Sequence, residues 1–218
     1  MCGIAGIVET AAAKPSISEA ILRKMSDIIH HRGPDDEGQW ISPNHRCGFA
    51  FRRLAIIDLS PAGHQPMSTT DGRFTIVFNG EIYNHLTLRR DLEERGYEYH
   101  SKSDTETILF GFREYGEQFL SKMVGMWGLA IWDNDKQELF CARDRIGVKP
   151  FYYSFNAGRF IFGSEIKSIL QHPSISKEMN IKEMTNYLSF SMTSEHSTLF
   201  EGIQKLPAGH FLRLKADG

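Results

Sequence analysis

Residues 1–8 read M-C-G-I-A-G-I-V. From Cys2 onward the run is small and apolar, and it reads as a short buried strand over 2–8. Position 2 is the unusual one. Removal of the initiator methionine would leave a cysteine bearing a thiol and a free α-amine. That amine has an ordinary pKa of about 7.7–8.0, close to operating pH. It can serve as general base for its own thiol, which makes a nucleophile–base pair within one residue. Gly3 leaves room beside the thiol. The plainer alternative is that Cys2 is a small buried hydrophobe. No basic leader precedes it, so the stretch does not read as a signal peptide.

Beyond this strand, Ser16 and Glu19 stand at capping-box spacing. Ile21, Leu22, Met25, Ile28 and Ile29 then recur at helical intervals until Gly33. Strands are predicted at about 37–42, 46–51, 53–58 and 73–79. A helix follows over about 85–95, between Asn84 as cap and Gly96. Another spans about 104–115, with Asp104 as its N-cap and Gly116 after it. Strands resume at 125–133 and 137–143 across a four-residue polar turn, and at 150–155 and 159–163 across Asn156-Ala157-Gly158. Such short connections demand antiparallel pairing. Shorter helices are expected at 164–170 and 180–188. Hairpin strands with helices in blocks speak against a doubly wound parallel sheet and fit α+β layers; two antiparallel sheets packed together with helices outside would satisfy the count, though periodicity alone does not show that stacking.

The 218 residues suit one large domain. With 25 Lys+Arg against 27 Asp+Glu, the net charge is 25 − 27 = −2, so charge makes no case for nucleic acid or an anionic membrane. No apolar run approaches a membrane span. The three cysteines, Cys2, Cys47 and Cys141, cannot pair completely and show no C-x-x-C spacing, which points to a reducing, cytoplasmic setting. The nine histidines form no metal-ligand pattern, and no P-loop is present, so no metal and no cofactor is assigned to these residues.

Three further stretches could carry chemistry. F-N-G-E-I-Y-N, 78–84, ends an apolar run. It sets a side-chain amide beside an unencumbered glycine N–H, a pair able to hold an oxyanion, or else it is an ordinary Asn-Gly turn. R-R-L-A-I-I-D, 52–58, places two arginines on opposite faces of a strand. One guanidinium could grip a carboxylate, or both could form surface ion pairs. In S-K-S-D-T-E-T, 101–107, Asp104 could cap the following helix or receive a substrate ammonium. The charges Arg143, Asp144, Arg145 and Lys149 read as a salt-bridged loop, or else as an interdomain or tunnel-end contact.

Taken in order, M-C-G-I-A-G (1–6), H-R-G-P-D (31–35), R-L-A-I-I-D (53–58), N-G-E-I-Y-N (79–84), S-D-T-E (103–106), A-R-D-R-I-G-V-K-P-F-Y-Y (142–153) and F-G-S-E-I-K (162–167) closely resemble a class II glutamine amidotransferase domain. The pattern is most similar to the amino-terminal glutaminase half of glutamine-hydrolysing asparagine synthetases. The resemblance implies a four-layer αββα sandwich, the N-terminal nucleophile hydrolase fold. It implies that Cys2, freed of Met1, attacks the side-chain amide of L-glutamine. Asn79 and Gly80 would form the oxyanion hole. Arg53 would bind the α-carboxylate, with Leu54, Ala55, Ile56 and Ile57 lining the pocket, and Glu81 and Asp104 would receive the α-ammonium.

Residues 1–190 would be the glutaminase domain, and 191–218 its C-terminal part leading into a synthetase domain beyond this sequence. The tail L-F-E-G-I-Q-K-L-P-A-G-H, 199–210, resembles that lead-in. In the family that domain, or a separate subunit, uses ATP and magnesium to amidate aspartate with the released ammonia. Two alternatives stand beside this: a related amidotransferase with a sugar or modified-peptide acceptor, and a catalytically silent docking domain.

Overall fold

The first strand, β1 (Gly3–Glu9), is buried along its whole length, because both of its faces are covered. Ile4 and Val8 point one way, into a core shared with Phe49, Phe51, Val77 and Trp132. Ala5 and Ile7 point the other way, towards Leu22 and Met25 of a helix. This period-two division explains why the run lacks the polar alternation of a half-exposed strand.

The computed structural model describes residues 1–216. After β1 come α1 (Glu19–Asp27), β2 (Asp36–Ile41), β3 (Cys47–Arg53), the two-residue β4 (Met67–Ser68), β5 (Phe74–Ile82), α2 (His85–Glu94), α3 (Asp104–Tyr115) and α4 (Phe119–Lys122). Then follow β6 (Gly125–Asp133), β7 (Glu138–Arg143), β8 (Tyr152–Asn156), β9 (Arg159–Gly163), α5 (Ile166–Ile169), α6 (Ile181–Phe190), β10 (Gln204–Lys205) and β11 (Phe211–Lys215). One sheet has the order β10-β8-β9-β1-β3-β2 and the other β11-β7-β6-β5-β4. Every described pairing is antiparallel.

The inner faces meet in a layer rich in aromatic side chains, among them Phe49, Phe151, Phe160, Phe162 and Trp132. Residues of α1 and α5 cover the outside of the first sheet. Residues of α2, α3 and α4 cover the outside of the second. The molecule is therefore a four-layer αββα sandwich of two antiparallel sheets. Each fully buried large apolar side chain contributes about 1.5–3 kcal/mol, so these three apolar layers dominate its stability.

Some local expectations are corrected. Residues 54–58 are not a strand: β3 runs unbroken to Arg53 and the chain then leaves the sheet as a loop. Ser16 does not cap α1. Its N–H and hydroxyl are held by the buried Glu9 carboxylate, and Ser18 accepts from the Ile21 N–H instead. Ser103, not Asp104, caps α3, which makes Asp104 the first helical residue. Asn84 precedes α2 but bonds to Lys122 and Val124 across the fold rather than capping. The short edge strands β4, β10 and β11 were not foreseen. β10 and β11 pair with β8 and β7, so the tail closes one edge of each sheet.

Candidate active site

The register of β1 against β3 pairs Gly3 with Arg52. One step further along that register, Cys2, just before β1, and Arg53, the last residue of β3, come opposite each other at the end of the sheet. The Cys2 thiol lies against the next peptide. Its Sγ accepts from the Leu54 N–H at 3.4 Å and donates to the Leu54 carbonyl at 3.5 Å. Burial pushes the thiol pKa up, while the Leu54 N–H, the amino terminus and Arg53 pull against it. The resting sulfur is thus a protonated thiol that needs a base. From the other side, Arg32 Nε donates to the Cys2 carbonyl at 3.0 Å, and Arg32 Nη1 reaches Glu165 at 3.1 Å. The amino terminus, here on Met1, has its pKa lowered by burial and by the cations Arg32 and Lys149.

The second sheet supplies the opposing wall through the end of β5. Successive peptide N–H groups of a strand face alternate edges. The Phe78 N–H turns away from β6 and donates to Gln65 Oε1 at 2.7 Å, and the Ile82 N–H turns the same way and donates to Asp104 Oδ2 at 2.9 Å. Gly80 lies between them on the same edge, turned away from β6, and its N–H meets no acceptor among the described residues. Beside it, the Asn79 side chain is 1% exposed and its Nδ2 has no hydrogen-bond partner among the described residues. A buried amide donor left unpaired is costly, so two free donors at one spot mark a place built for an acceptor. Gly80 must be glycine. A Cβ there would sit 2.2 Å from the Met126 carbonyl oxygen.

These groups converge on a cavity of about 150 Å³. Cys2, Arg53, Asn79, Gly80, Glu81 and Asp104 all line it. Leu54, Ile56 and Ile57 line it too, with Phe51, Phe78 and Met126 adding apolar wall. Ala55 lies outside the lining: its N–H is turned to the Asp35 carboxylate at 2.9 Å. The Arg53 guanidinium is buried and donates to the Ser60 carbonyl at 2.9 Å and to the Asp58 carbonyl. It therefore holds the 54–63 loop as well as facing the cavity. Asp104 is pushed up to about 6, first by burial and further by the Glu81 charge, against the Ile82 N–H that favours its ionised form. A cationic ligand group between these two carboxylates would relieve both effects.

Several lining or supporting groups are not among the site residues that the sequence suggests. Arg32 lay within H-R-G-P-D, where nothing local tells that it will reach Cys2. Gln65 sits in a loop, and only the fold brings it to β5. Lys149 is buried, lines the cavity and places its Nζ 3.1 Å from Met1 Sδ. The loop around it is not salt-bridged. Asp144 accepts from the N–H groups of Trp127, Ile146, Val148 and Lys149. Arg143 and Arg145 donate to backbone carbonyls, and none of these charges forms an ion pair among the described residues. No group of His, Cys, Asp and Glu that could hold a metal ion occurs among the described residues. No helix there is long and apolar enough to cross a membrane.

The chain is 40% identical, over 98% of its length, to asparagine synthetase (glutamine-hydrolysing) 2 of Bacillus subtilis, and covers 29% of that protein. It is 41% identical, over 88% of its length, to the putative asparagine synthetase (glutamine-hydrolysing) 2 of Methanocaldococcus jannaschii, covering 39% of it. The chain thus spans about a third of the curated relatives it matches. Among solved structures, the glutamine phosphoribosylpyrophosphate amidotransferase of B. subtilis superposes with a TM-score of 0.67 at 17% identity, over 98% of this chain and 47% of that one, which shows a shared fold. The glutamine amidotransferase domain family matches residues 1–218, and the chain belongs to that family, homologous to the glutaminase half of glutamine-hydrolysing asparagine synthetases.

Proposed function

We propose that this chain hydrolyses the side-chain amide of L-glutamine to glutamate and ammonia, with Cys2 as nucleophile after removal of Met1. The observation that carries the reading is the cavity itself. It joins a thiol, two unpartnered amide donors, a guanidinium and a pair of carboxylates within a space of about 150 Å³. Glutamine is a zwitterion with a neutral amide at the far end, and it needs this set of complements.

In the proposed cycle the α-amine of Cys2 takes the thiol proton, and sulfur attacks the amide carbon. The carbonyl electrons move to oxygen, which accepts from Asn79 Nδ2 and the Gly80 N–H. Collapse breaks the C–N bond, and the ammonium returns its proton so that ammonia leaves. Water, deprotonated by the same amine, then cleaves the γ-glutamyl thioester and restores the thiol. Arg32, whose Nε donates to the Cys2 carbonyl at 3.0 Å, sets a positive charge close to the Cys2 amine and so favours the free base this scheme requires. Arg53 takes the α-carboxylate, Glu81 and Asp104 take the α-ammonium, and Leu54, Ile56 and Ile57 pack the aliphatic part.

The ammonia would pass to a synthetase domain, in the same chain or a partner subunit, that amidates aspartate using ATP and magnesium. Support comes from relatives about three times longer that are named as asparagine synthetases. ATP and magnesium belong to that domain, and the glutaminase step uses neither. The cytoplasm is the proposed compartment, a reading supported by three unpaired cysteines.

Ammonia release from glutamine is the test. Cys2→Ala should abolish it while leaving the fold and ammonia-dependent synthesis intact. Glutaminase activity that survives in Cys2→Ala would overturn the assignment.

A further inference from the structure

Gln65 lies in the loop that leads into β4, is almost fully buried, and faces the cavity. β4 pairs with β5 at only two positions, Met67 with Ile76 and Ser68 with Thr75. Extending that register would set Gln65 opposite Phe78. A continuing strand would satisfy the Phe78 N–H with the Gln65 backbone carbonyl. That carbonyl is elsewhere: it packs so closely on Gly38 of the other sheet that a Cβ at position 38 would lie 1.9 Å from it. The side chain takes its place. Gln65 Oε1 accepts from the Phe78 N–H at 2.7 Å, and Gln65 Nε2 donates to Thr105 Oγ1 at 3.1 Å.

Thr105 is the second residue of α3 and is buried. Its neighbour Asp104 accepts the Ile82 N–H. Two staples therefore join the free edge of β5 to the first turn of α3, one at Phe78 and one at Ile82. The Gly80 N–H lies between them, two residues from each. The staples consume the flanking donors and leave that one open to the cavity.

We propose that Gln65 is a positioning residue for the oxyanion hole, standing in for the missing strand so that the Asn79 and Gly80 donors stay aligned with Cys2. The inference rests on the proposed role of Asn79 and Gly80. Gln65 acts through them, so its loss lowers turnover rather than affinity. Without it the buried Phe78 N–H is unpaired, and the edge can move or admit water to recover a bond.

The test is a double-mutant cycle on the complete protein, reading glutamine hydrolysis. Gln65→Met keeps the length of the side chain and removes both bonds. It should lower kcat about tenfold or more while KM stays within about threefold. Gln65→Glu keeps the acceptor for Phe78 and should recover part of the lost kcat. Added to Asn79→Ala, Gln65→Met should cost no more than about a further threefold, because the hole it aligns is already broken. Full kcat in Gln65→Met, or losses that multiply in the double variant, would overturn the inference. Full kcat in Asn79→Ala would instead overturn the oxyanion assignment beneath it. Alkylation of the Cys2 thiol by iodoacetamide should be unchanged in Gln65→Met, and a matching fall would mean that the nucleophile had been disturbed instead. Should Gln65→Met fail to fold, Thr105→Val, which frees only the Nε2 end, carries the same cycle with a smaller kcat loss, and a multiplicative loss there counts equally against the inference.

Discussion

The two walls of the cavity are held in different ways. The β5 wall is sheet interior: Asn79 is 1% exposed, Gly80 backs onto the Met126 carbonyl, and the Phe78 and Ile82 N–H groups are stapled. The wall formed by residues 54–63 pairs with no strand, and it exposes Ile56 by 65% and Leu59 by 77%. It hangs from Arg53, which bonds the Ser60 and Asp58 carbonyls, and from Asp58, whose carboxylate accepts the Lys102 N–H at 2.8 Å. The proposed oxyanion donors stand on the rigid wall with Glu81, whereas Arg53, the proposed carboxylate partner, is tied to the adaptable one. Preorganised donors lose their value if they must reorganise during reaction, whereas a recognition loop can settle around its ligand.

Substitutions can break this contrast or sharpen it. The largest effect is expected on the rigid wall. Asn79→Ala should lower kcat for glutamine hydrolysis about 100-fold to 1,000-fold with little change in KM, as steady-state kinetics would show. A rise in KM alone would put Asn79 in ground-state binding. On the opposite wall, Arg53→Ala should raise KM by about 30-fold or more and change kcat less, because it removes a buried charge partner and also two anchors of the loop. An unchanged KM would contradict its role.

A third effect follows from Asp104, whose pKa is pushed up to about 6 by burial and by the Glu81 charge. The substrate ammonium prefers the ionised carboxylate. KM should therefore rise as pH falls below about 6, by about tenfold per unit once protonation dominates. kcat at saturating glutamine should not follow this titration, and Asp104→Asn should remove the rise in KM while raising KM at neutral pH. The smallest effect is on stability. Folding raises the Asp104 pKa from 3.8 to about 6, so the folded state binds that proton more readily than the unfolded one. The resulting stability is present at low pH and is lost as pH rises through about 6. At pH 7 the ionised carboxylate is a net cost, and Asp104→Asn should stabilise the fold there by about 1–3 kcal/mol in denaturant titrations. Gained stability together with weakened binding would mark Asp104 as a group kept for function.

What could be read in advance divides along the same line. The helix at 104–115 matches α3 because an apolar stretch meets Gly116, whose φ of 58° lets the chain turn. The β6–β7 hairpin was legible from its polar turn. The predicted strand at 53–58 failed for a tertiary reason. Leu54 to Ile57 are apolar enough for a strand, but the Arg53 guanidinium gathers the carbonyls of Asp58 and Ser60 and bends the segment out of the sheet. Ser16 had the spacing of a cap, and the buried Glu9 claimed it. The candidate site residues were visible as motifs, since each chemical type is distinctive. Arg32, Gln65 and Lys149 were not, because what they touch lies on other elements and no local pattern encodes it.

The most direct test of the central claim is to treat active protein with a chloromethyl ketone analogue of glutamine, whose ketone stands where the amide carbon would be, and to measure intact mass with peptide mapping. The treated protein should begin at Cys2 and carry a single adduct on that thiol, prevented by excess glutamine. An adduct on any other residue, or an active protein that retains Met1, would contradict it.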